Sequence, residues 1–206
     1  MSHRRREIEI KLALPSAAEG RRLMRAGGFR IAKRRVFEAN ILLDTDRGEL
    51  GRTGRLLRIR QAGRQGILTY KGPETSGKYK DREELEIQIS DPSQLGEILS
   101  RLGFVPTLRY EKYRAEYQRS GENGRAMLDE TPIGVYLELE GAPTWIDRNA
   151  RRLGFPESAY ITASYYGLYA DYCRRHGVPL KELTFADVPA VTPSSSPRLV
   201  PSPVSR

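Results

Sequence analysis

The chain has 206 residues, 30% of them charged, and a formal net charge of +9 at pH 7. Its length suits one domain with a sizeable core, while a single cysteine, Cys173, excludes an internal disulfide and favours a reducing, cytoplasmic setting. With only His3 and His176 besides, no cysteine- or histidine-built metal centre is expected, and the basic balance points to a polyanion: nucleic acid, an anionic membrane or a phosphorylated small molecule.

The basic run Arg4-Arg5-Arg6 passes directly into Glu7 without an apolar stretch, so it does not read as a secretory signal. Nothing further on is long and apolar enough to span a bilayer. Two-residue alternation and β-branched or aromatic enrichment predict strands over 4–14, 29–43, 55–62, 65–71, 80–90, 107–119, 125–129 and 135–141. Helices are expected over 16–26, over 92–102 behind an Asp91 N-cap, over 144–153 and over 163–175, the first three stopping at Gly27, Gly103 and Gly154. Gly63-Arg64-Gln65-Gly66, Gly121-Glu122-Asn123-Gly124 and Thr131-Pro132-Ile133-Gly134 read as tight turns, which pair neighbouring strands antiparallel. Residues 1–188 are expected to form one domain. Residues 189–206, rich in Pro and Ser, read as a disordered tail; they carry Arg198 and Arg206 and no acid, so the rest keeps a net charge of +7.

Side chains along a strand alternate between faces. Glu7-Ile8-Glu9-Ile10-Lys11-Leu12 therefore sets two carboxylates and a lysine against three aliphatics, and Val135-Tyr136-Leu137-Glu138-Leu139-Glu140 and Glu84-Leu85-Glu86-Ile87 repeat the carboxylate pair. Cations pair likewise in Leu57-Arg58-Ile59-Arg60 and Lys112-Tyr113-Arg114, and Lys71 ends Leu68-Thr69-Tyr70-Lys71. The ordinary reading is a solvated sheet face. Against it, acids sit with acids at i and i+2, where like charges repel, so loss of one glutamate should leave the fold as stable or more so.

The aliphatic faces also need cover. Helices packed outside would supply it and turn the charges inward, giving an α+β fold: a closed eight-stranded antiparallel β-barrel, a tunnel with a polar, water-filled lumen. An acid cluster on one wall suits Mg²⁺ or Mn²⁺, which take hard oxygen ligands and substrate phosphates. Arginines and lysines on the other wall suit phosphate oxygens.

These residues resemble the CYTH superfamily, the triphosphate tunnel metalloenzymes, which includes class IV adenylate cyclases, thiamine triphosphatases and inorganic triphosphatases. Glu7-Ile8-Glu9-Ile10-Lys11 looks like the E-x-E-x-K signature. Asp44-Thr45, Leu57-Arg58-Ile59-Arg60, Thr69-Tyr70-Lys71-Gly72-Pro73, Lys112-x-Arg114, Leu128-Asp129, Tyr136-Leu137-Glu138-Leu139-Glu140 and Ser164-Tyr165-Tyr166-Gly167-Leu168 follow in the family's order, over roughly residues 4 to 172. The resemblance implies an eight-stranded tunnel in which Lys11, Arg58, Arg60, Lys71 and Arg114 hold triphosphate oxygens. It implies Glu7, Glu9, Glu138 and Glu140 as metal ligands, with Asp129 and Glu84 close by, and Lys112 as the residue that assists a nucleophilic water. Leu43 replaces the aromatic usual before the D-T motif, which favours a small or inorganic substrate, whereas Lys71-Gly72-Pro73 is similar to the cyclase-named branch.

Cys173 reads as packing, His176 as a helix-end cation, and Tyr165, Tyr166, Tyr169 and Tyr172 as a helical stripe that caps the barrel. The leading expectation is a triphosphatase acting on tripolyphosphate, thiamine triphosphate or ATP. The alternative is a class IV adenylate cyclase making cyclic AMP and pyrophosphate, and behind both stands a non-catalytic polyphosphate- or RNA-binding module. Nucleic acid is disfavoured because clustered acids repel it, no membrane partner is expected, and a homodimer is left open.

Overall fold

The computed structural model describes residues 5–75, 77–180 and 182–188, except the side chain of residue 5. The first residue of the strand expected over 4–14 and the tail expected over 189–206 lie outside the described residues. Eight strands form: β1 (Arg5–Leu14), β2 (Arg30–Thr45), β3 (Leu56–Ala62), β4 (Gln65–Lys71), β5 (Lys80–Ile89), β6 (Phe104–Gln118), β7 (Arg125–Thr131) and β8 (Gly134–Glu140). They join antiparallel as a closed barrel in the order β1-β5-β4-β3-β2-β6-β7-β8, with β1 also paired to β8, so no sheet edge is left open. The two tightest turns fall where expected. Ala62 pairs with Gln65 across Gly63-Arg64, with Gly63 at φ 58°, and Thr131 pairs with Gly134.

The helices are α1 (Ala17–Ala26), α2 (Glu49–Arg52), α3 (Pro92–Arg101), α4 (Pro143–Arg152) and α5 (Tyr165–His176). Ser16 caps α1 by accepting from the Glu19 N–H, and Asp91 caps α3 by accepting from that of Gln94. Gly103 and Gly154 follow α3 and α4 with positive φ, as expected; after α1 the left-handed position falls one residue later, on Gly28, while Gly27 stays helical. The four-residue α2 was not predicted, because it is too short to carry a periodic pattern. It is held by Asp44, whose carboxylate accepts the N–H groups of Thr45, Leu50 and Gly51 at 2.7–2.8 Å, which gives the Asp44-Thr45 motif a local structural role.

The hydrophobic core lies outside the barrel wall. Ile10, Leu12, Leu128, Leu137 and Leu139, the outward residues of β1, β7 and β8, pack under Met24 of α1 and Trp145, Ile146 and Ala150 of α4. A Cβ on Gly124 would lie 2.2 Å from the Trp145 indole, so only glycine admits that ring. Covering the outer faces leaves the polar residues of each strand no direction but inward. The cover is incomplete on β5, where Leu85 and Ile87 stay 45% and 60% exposed. Nor do all the helices remain outside, since α5 sends its first residues into the barrel.

Candidate active site

Every strand contributes polar side chains at alternate positions to the lumen. Glu7, Glu9 and Lys11 come from β1, Arg58 and Arg60 from β3, Lys71 from β4, Lys112 and Arg114 from β6, Asp129 from β7 and Glu138 from β8. Lys11 and Asp129 are 1% and 0% exposed, so these are interior charges and the solvated-face reading fails for them. Glu84 and Glu140 belong to the same ring of strands but are more open, with side chains 17% and 21% exposed.

Buried charges need partners, and the lumen supplies them internally. Lys11 Nζ donates to Glu9 at 2.9 Å and lies 3.3 Å from Glu138. Lys71 Nζ donates to both Glu7 oxygens, at 2.7 and 2.6 Å, and sits 3.0 Å from Glu84. Arg58 donates to Tyr110 Oη, Thr69 Oγ1 and Glu86. Arg60 lies 3.5 Å from both Glu38 and Glu86. Arg114 donates to both Asp129 oxygens and touches Glu138, and Lys112 Nζ donates to Asp129 at 2.9 Å. Glu140 turns instead to Arg125. The expected division into an acid wall and a cation wall is therefore partial. Acids concentrate on β8, β1 and β5 and arginines on β3, but each wall carries its own counter-ions.

This packing sets the protonation states. Burial alone would lower the Lys11 amine, but the Glu9 and Glu138 carboxylates outweigh it and hold the group well above the usual lysine range. Burial likewise opposes ionisation of Glu9, yet Lys11, Lys80 and Lys71 keep it well below the carboxylate range; burial also opposes that of Glu138, which Arg114 and Lys11 nonetheless lower. Glu84 goes the other way: burial, with Glu7 and Glu86 alongside, outweighs Lys71 and pushes it up to about 7. A carboxylate raised in the folded state binds its proton more tightly there than in the unfolded chain, so its effect on stability is lost as pH rises toward 7. Ligand-free protein should thus lose thermal stability between pH 5 and pH 8, and Glu84→Gln should shrink that loss; an unchanged pH profile in the variant would refute the assignment.

Several lumen residues were not singled out from sequence. Glu38 of β2 is 3% exposed, beside Arg60 and 3.7 Å from Lys112. Lys80 and Arg82 of β5 face Glu9 and Glu7 across the β1–β5 register. Their two-residue spacing matches that of Lys112 and Arg114, and it was the available signal. Tyr165 had none. At the N-terminus of α5, which Ser164 caps, its Oη donates to Asp129 at 2.6 Å, and Lys11 and Lys112 stand 5.1 and 5.0 Å from its ring. Of the stripe expected to cap the barrel, Tyr165 does so by insertion and Tyr166 stays 47% exposed at the mouth, whereas Tyr169 and Tyr172 pack in an outer cluster. Cys173 is buried beside Tyr169 in a small outer cluster, which fits packing.

A Mg²⁺ or Mn²⁺ site fits the chemistry of the donors. Glu9 and Glu138 already share one cation, the Lys11 ammonium, and Glu7 opens onto the same cavity. Among the described residues no three acidic, histidine or cysteine side chains are gathered closely enough to hold an ion by themselves. A hard ion held here would draw its remaining ligands from water and substrate, as Mg²⁺ commonly does. The self-paired lumen retains a cavity of only about 80 Å³. It meets a vestibule of about 710 Å³ lined by Leu42, Leu56, Leu108, Pro73 and Tyr166, and Arg82 lies on the wall of both.

A closed antiparallel barrel whose interior is built from paired carboxylates, arginines and lysines defines a class of tunnel proteins. The CYTH domain pattern matches residues 5–155, and the chain belongs to the CYTH family. A Methanocaldococcus jannaschii protein named as a candidate adenylate cyclase is 32% identical over 137 residues, 65% of this chain and 75% of that one. Among solved structures, the PH1819 protein of Pyrococcus horikoshii superposes with a TM-score of 0.67 at 26% identity, covering 81% of this chain and 99% of its own. A Hippeastrum protein, HpAC1, described as a candidate adenylyl cyclase with a dominant triphosphatase activity, superposes with a TM-score of 0.59 at 24% identity, covering 84% and 97%. No helix among the described residues is long and apolar enough to cross a membrane.

Proposed function

We propose that the protein is a Mg²⁺- or Mn²⁺-dependent triphosphatase. The observation that carries this is the convergence of Lys11, Arg60, Lys71 and Arg114 on one narrow lumen that also holds Glu7, Glu9 and Glu138, with Arg58 bonded to Tyr110 of its wall. Each of these cations is held by carboxylates, so an entering triphosphate exchanges internal ion pairs for phosphate contacts of the same kind. The carboxylates released in that exchange need a new counter-charge, which a bound divalent ion would supply. Glu7, Glu9 and Glu138 would hold the metal, with Glu140 beside them; when bound, it supplies Lewis-acid polarisation of a phosphoryl oxygen.

Asp129, expected near the metal, is already engaged by Arg114, Lys112 and Tyr165. That engagement supports a role in orienting Lys112 and Arg114. Lys112 Nζ, held by Asp129, would then hydrogen-bond the attacking water. The water oxygen bonds to the terminal phosphorus and the bridging P–O bond breaks; one water proton stays on the orthophosphate formed, the other passes to the departing bridge oxygen or to solvent, and the shortened polyphosphate leaves as Arg58 and Arg60 neutralise its developing charge.

The barrel does not choose between hydrolysis and cyclisation, since a cyclase name and a triphosphatase activity both occur on this fold. The vestibule favours the second reading, a class IV adenylate cyclase, because its apolar walls would house an organic group outside the charged tunnel. An RNA-binding module draws less support, because the cations are interior and paired with acids.

The test is incubation with tripolyphosphate, ATP and thiamine triphosphate in Mg²⁺, Mn²⁺ or EDTA, with products followed by phosphorus NMR. Orthophosphate release that requires the metal is expected. Cyclic AMP with pyrophosphate would transfer the protein to the second reading, and no turnover of any triphosphate would overturn both.

A further inference from the structure

Lys80 and Arg82 lie at the vestibule end of the lumen with side chains 4% and 6% exposed. Among the described residues their deep partners are Glu9, 2.9 Å from Lys80 Nζ, and Glu7, 3.5 Å from Arg82 Nε. Those two glutamates are already committed, Glu9 to Lys11 and Glu7 to Lys71. Among the described residues two carboxylates thus serve four cations, eased by Glu84 and Glu138 on the far sides of Lys71 and Lys11.

The balance is restored from outside. Glu74, on the loop between β4 and β5 and 41% exposed, reaches in to place Oε1 3.1 Å from Arg82 Nη1 and 3.6 Å from Lys80 Nζ. Its neighbour Thr75 fastens the loop there by backbone and side-chain hydrogen bonds to Asp81 O, at 2.9 and 3.0 Å. Glu74 and Arg82 both line the vestibule. An anionic oxygen from a solvent-exposed loop therefore occupies the point where the open vestibule meets two buried, under-compensated cations.

We propose that Lys80 and Arg82 are a further phosphate-binding pair at the tunnel mouth, and that Glu74 fills it in the free protein as an internal competitor that an entering phosphate displaces. The proposal rests on the triphosphate reading of the lumen. A purely structural ion pair would bury its acid with its bases, whereas here the acid is the exposed and exchangeable member.

The test is the dissociation constant of tripolyphosphate in Mg²⁺, measured by calorimetry on the full chain. Arg82→Ala should weaken binding on the order of tenfold or more, as loss of a charge-assisted contact does. Glu74→Gln should tighten it severalfold, and that gain should vanish in the Glu74→Gln/Arg82→Ala double variant, because there is then no arginine to release. A structural role for Glu74 predicts the reverse sign. Should Arg82→Ala not fold, Glu74→Gln decides alone, since its site is exposed. If Arg60→Ala weakens binding while Glu74→Gln leaves it unchanged or weaker, the tunnel reading stands and this inference falls. If the wild type does not bind tripolyphosphate at all, both fall.

Discussion

Glu138→Gln is expected to lower triphosphate turnover on the order of a hundredfold or more while leaving the barrel folded. The substitution keeps the size of the side chain and removes one charge from the residues proposed to hold the metal, whose stabilisation of the transition state supplies several kcal/mol. The stability consequence reverses the one drawn from sequence. Read as a row of repelling acids, the glutamates should tolerate the loss or gain from it. In the structure Glu138 is 4% exposed and answers Arg114 and Lys11, so its neutralisation leaves two buried cations short of a counter-ion. Arg114 keeps Asp129 and Lys11 keeps Glu9, which limits the cost to about 1–3 kcal/mol. Metal-free Glu138→Gln should melt below the wild type, and stabilisation by Mn²⁺ should shrink. Near wild-type turnover would remove Glu138 from the metal site, and a higher melting point would show that its ion pairs are not needed.

Arg58→Ala combined with Arg60→Ala should weaken triphosphate binding by a hundredfold or more, because each guanidinium contributes charge-assisted hydrogen bonds inside a closed, low-dielectric space. Arg101→Ala serves as the comparison. Its side chain is 83% exposed and answers only Glu97 on the same helix, a kind of pair that contributes little. Equal binding by the two variants, measured by titration with tripolyphosphate, would return Arg58 and Arg60 to a structural role.

The barrel was legible in the sequence because strand periodicity is short and the charges fall on it in pairs. Glu7 and Glu9, Arg58 and Arg60, and Lys112 and Arg114 each declare a shared face, and the aliphatics between them declare where the helices must pack. What periodicity does not convey is which charge answers which across strands. That depends on register, and register placed Lys80 opposite Glu9 and Glu138 opposite Lys11. Glu38 was hidden for a similar reason: it has no acid at i±2 in a long β2 whose pairing with β6 is interrupted by register shifts. Tyr165 was hidden because a helix that enters a barrel end-on reads like any amphipathic helix, and only the fold brings its hydroxyl to Asp129. Asp44 was visible as a motif, but its task of holding α2 was not, since four residues leave no pattern to read.

The central claim is that the charged lumen is where a triphosphate binds, and a crystal structure with tripolyphosphate and Mg²⁺ tests it most directly. The account predicts phosphorus positions inside the barrel, with phosphate oxygens within hydrogen-bond distance of Arg58, Arg60 and Lys71 and with the Lys71–Glu7 pair opened. Tripolyphosphate bound only on the outer surface, with the internal ion pairs intact, would contradict it.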